Sequence, residues 1–163
     1  MSRIHMARRA ATLATAIAIS LAVTAPVHAG GEDWNDANIK WMGYTEGLEA
    51  AKESGKPVCL IFYTTWCPHC TNYAKVFSDQ RLVDKSKEFV MVRLDKDQNA
   101  AVSAEYKPDG EYIPRTYFLS PAGQLDESLT AGRPQYKYFY DENKADSLLA
   151  GMDRAVERFK LQK

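Results

Sequence analysis

Apolar residues in this chain fall into two kinds of run. "PVCLIFYTT" from Pro57 and "FVMVRLDKD" from Phe89 are almost continuously apolar and bounded by proline or polar clusters. That pattern predicts strands buried on both faces. Elsewhere the apolar positions recur at helical spacing. "TEGLEAAKESGK" predicts a helix ending at Gly55, with Lys52 and Lys56 near its C-terminal end. "CTNYAKVFS" places Tyr73, Val76 and Phe77 on one face, and "DQRLVDKSKE" reads as its continuation or a second short helix. Leu148, Leu149, Met152, Val156 and Phe159 form the apolar face of a last helix in "ENKADSLLAGMDRAVERFK". Between these, "QNAAVSAEYKPDGEY" reads as a loop with a Pro-Asp-Gly turn, and "IPRTYFLSPAGQLDESLT" as an antiparallel hairpin around "SPAG". Strands alternating with helices imply parallel pairing, and a hairpin adds an antiparallel edge. The expected architecture is α/β, a central mixed sheet flanked by helices on both faces.

The first residues follow another pattern. Arg3, Arg8 and Arg9 precede an apolar run of about 16 residues, and Val27 and Ala29 sit where a cleavage site carries small residues. The run is short of the roughly 20 residues that span a bilayer. Residues 1–29 are expected to be a signal peptide, 30–44 a lead-in and 45–163 one domain. Trp34, Ile39 and Trp41 are candidates to pack the lead-in onto that domain. Removing the leader leaves 134 of the 163 residues, with 18 basic against 21 acidic side chains. A hydrophobic content of 45% suits an ordinary globular core, and the near balance of charge points to neither nucleic acid nor an acidic surface as partner. Export implies an oxidising compartment. The closing "RFKLQK" is not a retention signal of the KDEL type. A periplasm is therefore expected, with an ER lumen or secretion as the alternative, and no membrane attachment once the leader is removed.

Candidate chemistry centres on "YTTWCPHCTNY". Cys67 and Cys70 close the first buried strand and open a helix, with Pro68 and His69 between them. Cys-x-x-Cys by itself allows a redox pair, half of a metal clamp or a structural staple. The strand-to-helix position matches redox chemistry, because a helix N-terminus offers unpaired N–H groups and partial positive charge to a thiolate at Cys67. A zinc clamp would need four ligands, and only Cys59, His69 and scattered acids stand beside the pair. A two-residue bridge closes too small a loop to constrain the unfolded chain much. No metal and no cofactor are expected. Cys59, inside the apolar strand, reads as a buried thiol acting as a small hydrophobe. "YKYFY", Tyr136 to Tyr140, reads as packing under the last helix.

"KPVCLIFYTTWCPHC" and "YIPRTYFLSPAGQL" together resemble the thioredoxin family, its lead strand with the W-C-x-x-C site and its Ile-Pro opening the next strand. The resemblance implies a thioredoxin-like fold, a cis Ile113–Pro114 bond facing the cysteines, and substrate backbone held by Ile113 and Pro114; Trp66 and Arg115, beside them in sequence, are further candidates for substrate contact. "WMGYTEGLEAAKESGKP", "PDGEYIPRTYFLSPAG" and "QYKYFYDENKADSLLAGMDRAVERF" are similar, more narrowly, to the family of thioredoxin domain-containing protein 12 and the anterior gradient proteins. That likeness covers Trp41 to Phe159 and implies a thiol–disulfide oxidoreductase acting on secreted proteins.

Three departures shape the expectation. Thioredoxins carry a buried acid six residues before the first cysteine; here that residue is Ile61. Arg115 follows Pro114 where a small polar residue is usual; it would either screen the thiolate or steer acidic substrates, or lie as a solvated charge at the strand end. Pro68 and His69 form the pair found in DsbA-type oxidases, and an imidazolium beside the thiolate would favour the reduced form and make the disulfide more oxidising. The expected protein is an exported, monomeric oxidoreductase leaning to oxidation or isomerisation. Its partners are proteins bearing thiols or disulfides, together with a redox partner protein. The alternatives are a dedicated periplasmic reductant, for cytochrome maturation or copper-site thiols, and a non-catalytic binding module.

Overall fold

The computed structural model describes residues 33–160; the expected leader lies outside them. Four strands form one mixed sheet in the order β1-β3-β2-β4. They are β1 (Trp41–Met42), β2 (Val58–Tyr63), β3 (Val90–Asp95) and β4 (Arg115–Leu119). β3 pairs in parallel with both β1 and β2, and β4 runs antiparallel to β2. The helices are α1 (Tyr44–Ser54), α2 (Pro68–Val76), α3 (Gln80–Ser86), α4 (Ala100–Glu105) and α5 (Asp146–Lys160).

The two continuous apolar runs are the two central strands. Alternation along them divides the core into two layers, because successive side chains point to opposite faces. Cys59 and Ile61 face a layer with Tyr73 of α2, Phe77 just past its end, and Leu148 and Met152 of α5. Val58, Leu60 and Phe62 face a second layer with Ala51 of α1 and Tyr106 at the end of α4. α1 ends at Gly55, which is left-handed at φ 68° and donates its N–H to Ala51 O, as its C-terminal position requires. Close approach fixes α1 on the sheet: a Cβ at Gly47 would collide with Val92 Cγ2.

Sequence and structure differ at two elements. The expected hairpin is reduced to one bridge, Leu119 to Leu125. Asp126 ends the second arm. Its carboxylate accepts from Ser128 N–H and Oγ–H and from Arg158 on α5, so the chain turns away from the sheet. The antiparallel edge is supplied instead by β4 against β2. Residues 100–105, read as loop, form α4; the run is too short for periodicity, but its alanines favour a helix. "DQRLVDKSKE" is a separate helix, capped by Asp79, whose carboxylate accepts from Arg81 N–H.

Residues 33–44 are built into the domain. β1 adds an edge strand, and Trp34 and Ile39 are buried. Trp34 sits among Trp41, Tyr63, Tyr73 and Phe77, with ring centroids 5.2–6.0 Å away. The Arg93 guanidinium caps this cluster 5.5 Å from the Trp34 ring and pairs with Asp36 at 3.0 Å.

Candidate active site

The end of β2 and the first turn of α2 build the site. Cys67 is the N-cap of α2, with extended backbone, and its carbonyl accepts from the N–H groups of Cys70 and Thr71 at 3.0 and 3.2 Å. Pro68 takes the first helical position, where a missing N–H costs nothing. Cys67 is only 5% exposed and Cys70 is fully buried. Across from them, the Ile113–Pro114 peptide is cis, and Ile113 O lies 4.0 Å from Cys67 Sγ. The structure therefore brings Cys67, Ile113 and Pro114 together from positions 46 residues apart. Trp66 stands beside them, 68% exposed, with its indole N–H donating to Asp97 at 2.8 Å.

The two halves are tied from beneath. Tyr73, three residues after Cys70, meets Thr116, two residues after Pro114, through a hydrogen bond of 2.9 Å between buried hydroxyls. Thr116 also pairs across the sheet with Ile61. The position six before Cys67 is thus a buried isoleucine with no carboxylate to offer. Tyr63, on the same face of β2, lies within electrostatic reach of Cys70, Arg93, Asp36 and Asp95; burial, the main cause, holds its hydroxyl above the usual range.

Arg115 departs from expectation. Strand alternation turns it to the face opposite the cysteines, where it is fully buried. Its guanidinium donates to Gly110 O at 2.8 Å and to Ser103 on α4, and lies 5.2 Å over the Phe62 ring. Burial lowers its pKa. So placed, it neither meets solvent nor reaches a substrate; it anchors the segment leading into Pro114 from behind. Asp109 of the same segment accepts from Tyr112 Oη–H and from Lys137 N–H. Tyr112 in turn accepts from Tyr138 N–H.

His69 is exposed but held. Its Nδ1 lies 2.7 Å from Glu142 Oε2, and the Phe139 ring meets it edge-on at 5.8 Å. Both contacts come from the segment between β4 and α5. The "YKYFY" run therefore divides: Tyr138 and Tyr140 are buried, Tyr140 against Gly151 of α5, whereas Phe139 faces His69 and Tyr136 is exposed. Nothing local in the sequence marks Glu142, which is 73 residues from its partner. Cys59 is fully buried in β2, and burial pushes its thiol pKa far up. Among the described residues, no group of three or more His, Cys, Asp or Glu is placed to hold a metal ion.

A mixed sheet with helices on both faces, and a Cys-Pro-His-Cys turn opposite an Ile-Pro, define a thioredoxin-like protein. Residues 40–121, half of the chain, match the family model described as Thioredoxin-like, and the chain belongs to that family. Within it the chain is similar to anterior gradient proteins. It is 30% identical over 125 residues to anterior gradient protein 2 of Xenopus tropicalis, covering 76% of this chain and 74% of that one. To anterior gradient protein 2 homolog of Homo sapiens it is 28% identical over 130 residues, covering 79% and 73%. Among solved structures, a thioredoxin from Thermus thermophilus shares the fold at 23% identity and TM-score 0.60, over 75% of this chain and 90% of that one. The DsbH oxidoreductase shares it at 19% and 0.56, over 86% and 95%.

Proposed function

We propose that the protein is an exported thiol–disulfide oxidoreductase whose working group is the Cys67–Cys70 pair. The observation that carries this reading is Cys67 at the N-terminus of α2, with its sulfur beside the Ile113 carbonyl. A helix N-terminus, with its unpaired N–H groups and partial positive charge, is a setting in which redox cysteines work. In the reducing direction the Cys67 thiolate attacks one sulfur of a substrate disulfide. The substrate S–S bond breaks, and its second sulfur leaves and takes up a proton. Cys70 loses its proton and attacks the Cys67 sulfur of the mixed disulfide. The Cys67–Cys70 bond forms, the first substrate sulfur leaves and is protonated, and two electrons have passed to the substrate. The oxidising direction is the reverse. Trp66, Ile113 and Pro114 border the approach to Cys67, so an extended segment of a client protein fits the reading. Pro68 and His69 tune the potential and incline the pair toward oxidation or isomerisation. The leader-like residues 1–29 support a periplasmic location.

The test uses the purified chain without its leader and a reduced, unfolded client with a scrambled-disulfide counterpart. Wild type should speed disulfide formation or reshuffling. Cys67→Ser should abolish it, and Cys70→Ala should accumulate mixed disulfides on Cys67. Full activity in Cys67→Ser would sink the mechanism.

A further inference from the structure

We infer that Glu142 sets the redox potential of the pair by offsetting the charge of His69, making the protein a weaker oxidant than Cys-Pro-His-Cys alone implies. The inference rests on the redox reading above and deepens it. An imidazolium stabilises a neighbouring thiolate through its net charge. Here the imidazole Nδ1 is 2.7 Å from a carboxylate, so a protonated His69 and Glu142 form a pair with no net charge. Glu142 is not a chance contact on a loose loop. Its side chain is only 16% exposed, against 60% for His69. It is flanked by buried Tyr140 and by a turn at the start of α5. There Asp141 N–H donates to Ser147, and the Asp141 carboxylate accepts from the N–H groups of Asn143 and Lys144. Phe139 braces the imidazole from the side, and Arg133 stacks 4.8 Å from the Phe139 ring.

The same strap reaches the other half of the site. Lys137 N–H binds Asp109, Tyr138 N–H binds Tyr112, and Tyr138 O accepts from Thr116 N–H. Glu142 therefore sits at one end of a segment that also braces the Ile113–Pro114 loop. It acts through His69 and is a positioning residue, not a catalytic one.

The equilibrium to measure is protein disulfide plus two glutathione thiols going to protein dithiol plus glutathione disulfide. The Cys67–Cys70 bond breaks, the glutathione bond forms, and two electrons and two protons move to the protein. The measurement is made at one fixed pH and ionic strength for all variants. Glu142→Gln should shift the equilibrium constant toward dithiol by about two- to fivefold, the range of a partly shielded ion pair. The shift should shrink in a His69→Ala background. Glu142→Asp should lie between wild type and Gln. An unchanged constant in Glu142→Gln, a shift toward disulfide, or an equal shift with and without His69 would each overturn the inference and leave the redox reading intact. A wild type forming no Cys67–Cys70 disulfide at any glutathione ratio would overturn both.

Discussion

The hydroxyl bond between Tyr73 and Thr116 joins the helix that carries Cys70 to the strand that follows Pro114, and its strength can be measured. Both side chains are fully buried, and their oxygens are 2.9 Å apart. Tyr73→Phe removes one hydroxyl with almost no change of shape. Thr116→Val replaces the other with a methyl group. Either change leaves the remaining hydroxyl without this partner in a dry layer, at a cost of about 1–3 kcal/mol. Removing both replaces a polar pair with an apolar one of similar shape, which is close to neutral. The double variant should therefore be more stable than the summed singles imply, with a coupling of at least about 1 kcal/mol. Urea unfolding is the assay: a loss near 1.5 kcal/mol lowers the midpoint by roughly 0.5–1.5 M. The coupling should hold from pH 6 to pH 9, because burial keeps the Tyr73 proton in place well above pH 10. Strictly additive single losses would refute the account, since the two hydroxyls would then be stabilising the fold independently.

Two further outcomes follow from burial. Cys59 should stay unreactive toward an aromatic disulfide reagent in the native protein and titrate only on unfolding, because burial disfavours its thiolate; native reaction of Cys59 would contradict its placement. Stability should fall at alkaline pH. Tyr138 is pushed up to about 12, and Tyr73, Tyr117 and Tyr140 are also raised, with burial the chief cause in each. The unfolded chain releases these protons near pH 10 while the native state keeps them, so this contribution is whole below pH 10 and is lost as pH rises through the native values. The urea midpoint should be steady from pH 8 to 9 and drop by pH 11; a midpoint unchanged at pH 11 would rule this out.

Much of the fold was legible because apolar pattern and topology agree. "PVCLIFY" and "FVMVRL" form the central strands, as their short, almost continuously apolar runs between proline or polar clusters suggest. The place of the Cys-x-x-Cys turn was legible for a similar reason, its cysteines lying where strand meets helix. Arg115 is not legible in the sequence, because a charge after a strand-opening proline suggests solvent, whereas strand alternation sends the side chain through to α4. Glu142 was invisible because its partner is set by the path of the chain between β4 and α5, which no local period encodes. The second hairpin arm failed where Asp126 found better partners than a sheet edge.

The burial of Trp34 bears on how the chain can be cut. A truncation beginning at Thr45 would follow the outline suggested by helix and strand patterns alone. It would also remove the edge strand, the Asp36 partner of Arg93 and the indole wedged against Tyr63 and Tyr73. The layer beneath Cys70 would then be open to water, with a guanidinium left unpaired beside it. Any processing event or engineered fusion that is to preserve the layer beneath the two cysteines must join ahead of Asp33, and the smallest expressible unit is set by a tryptophan rather than by the first helix.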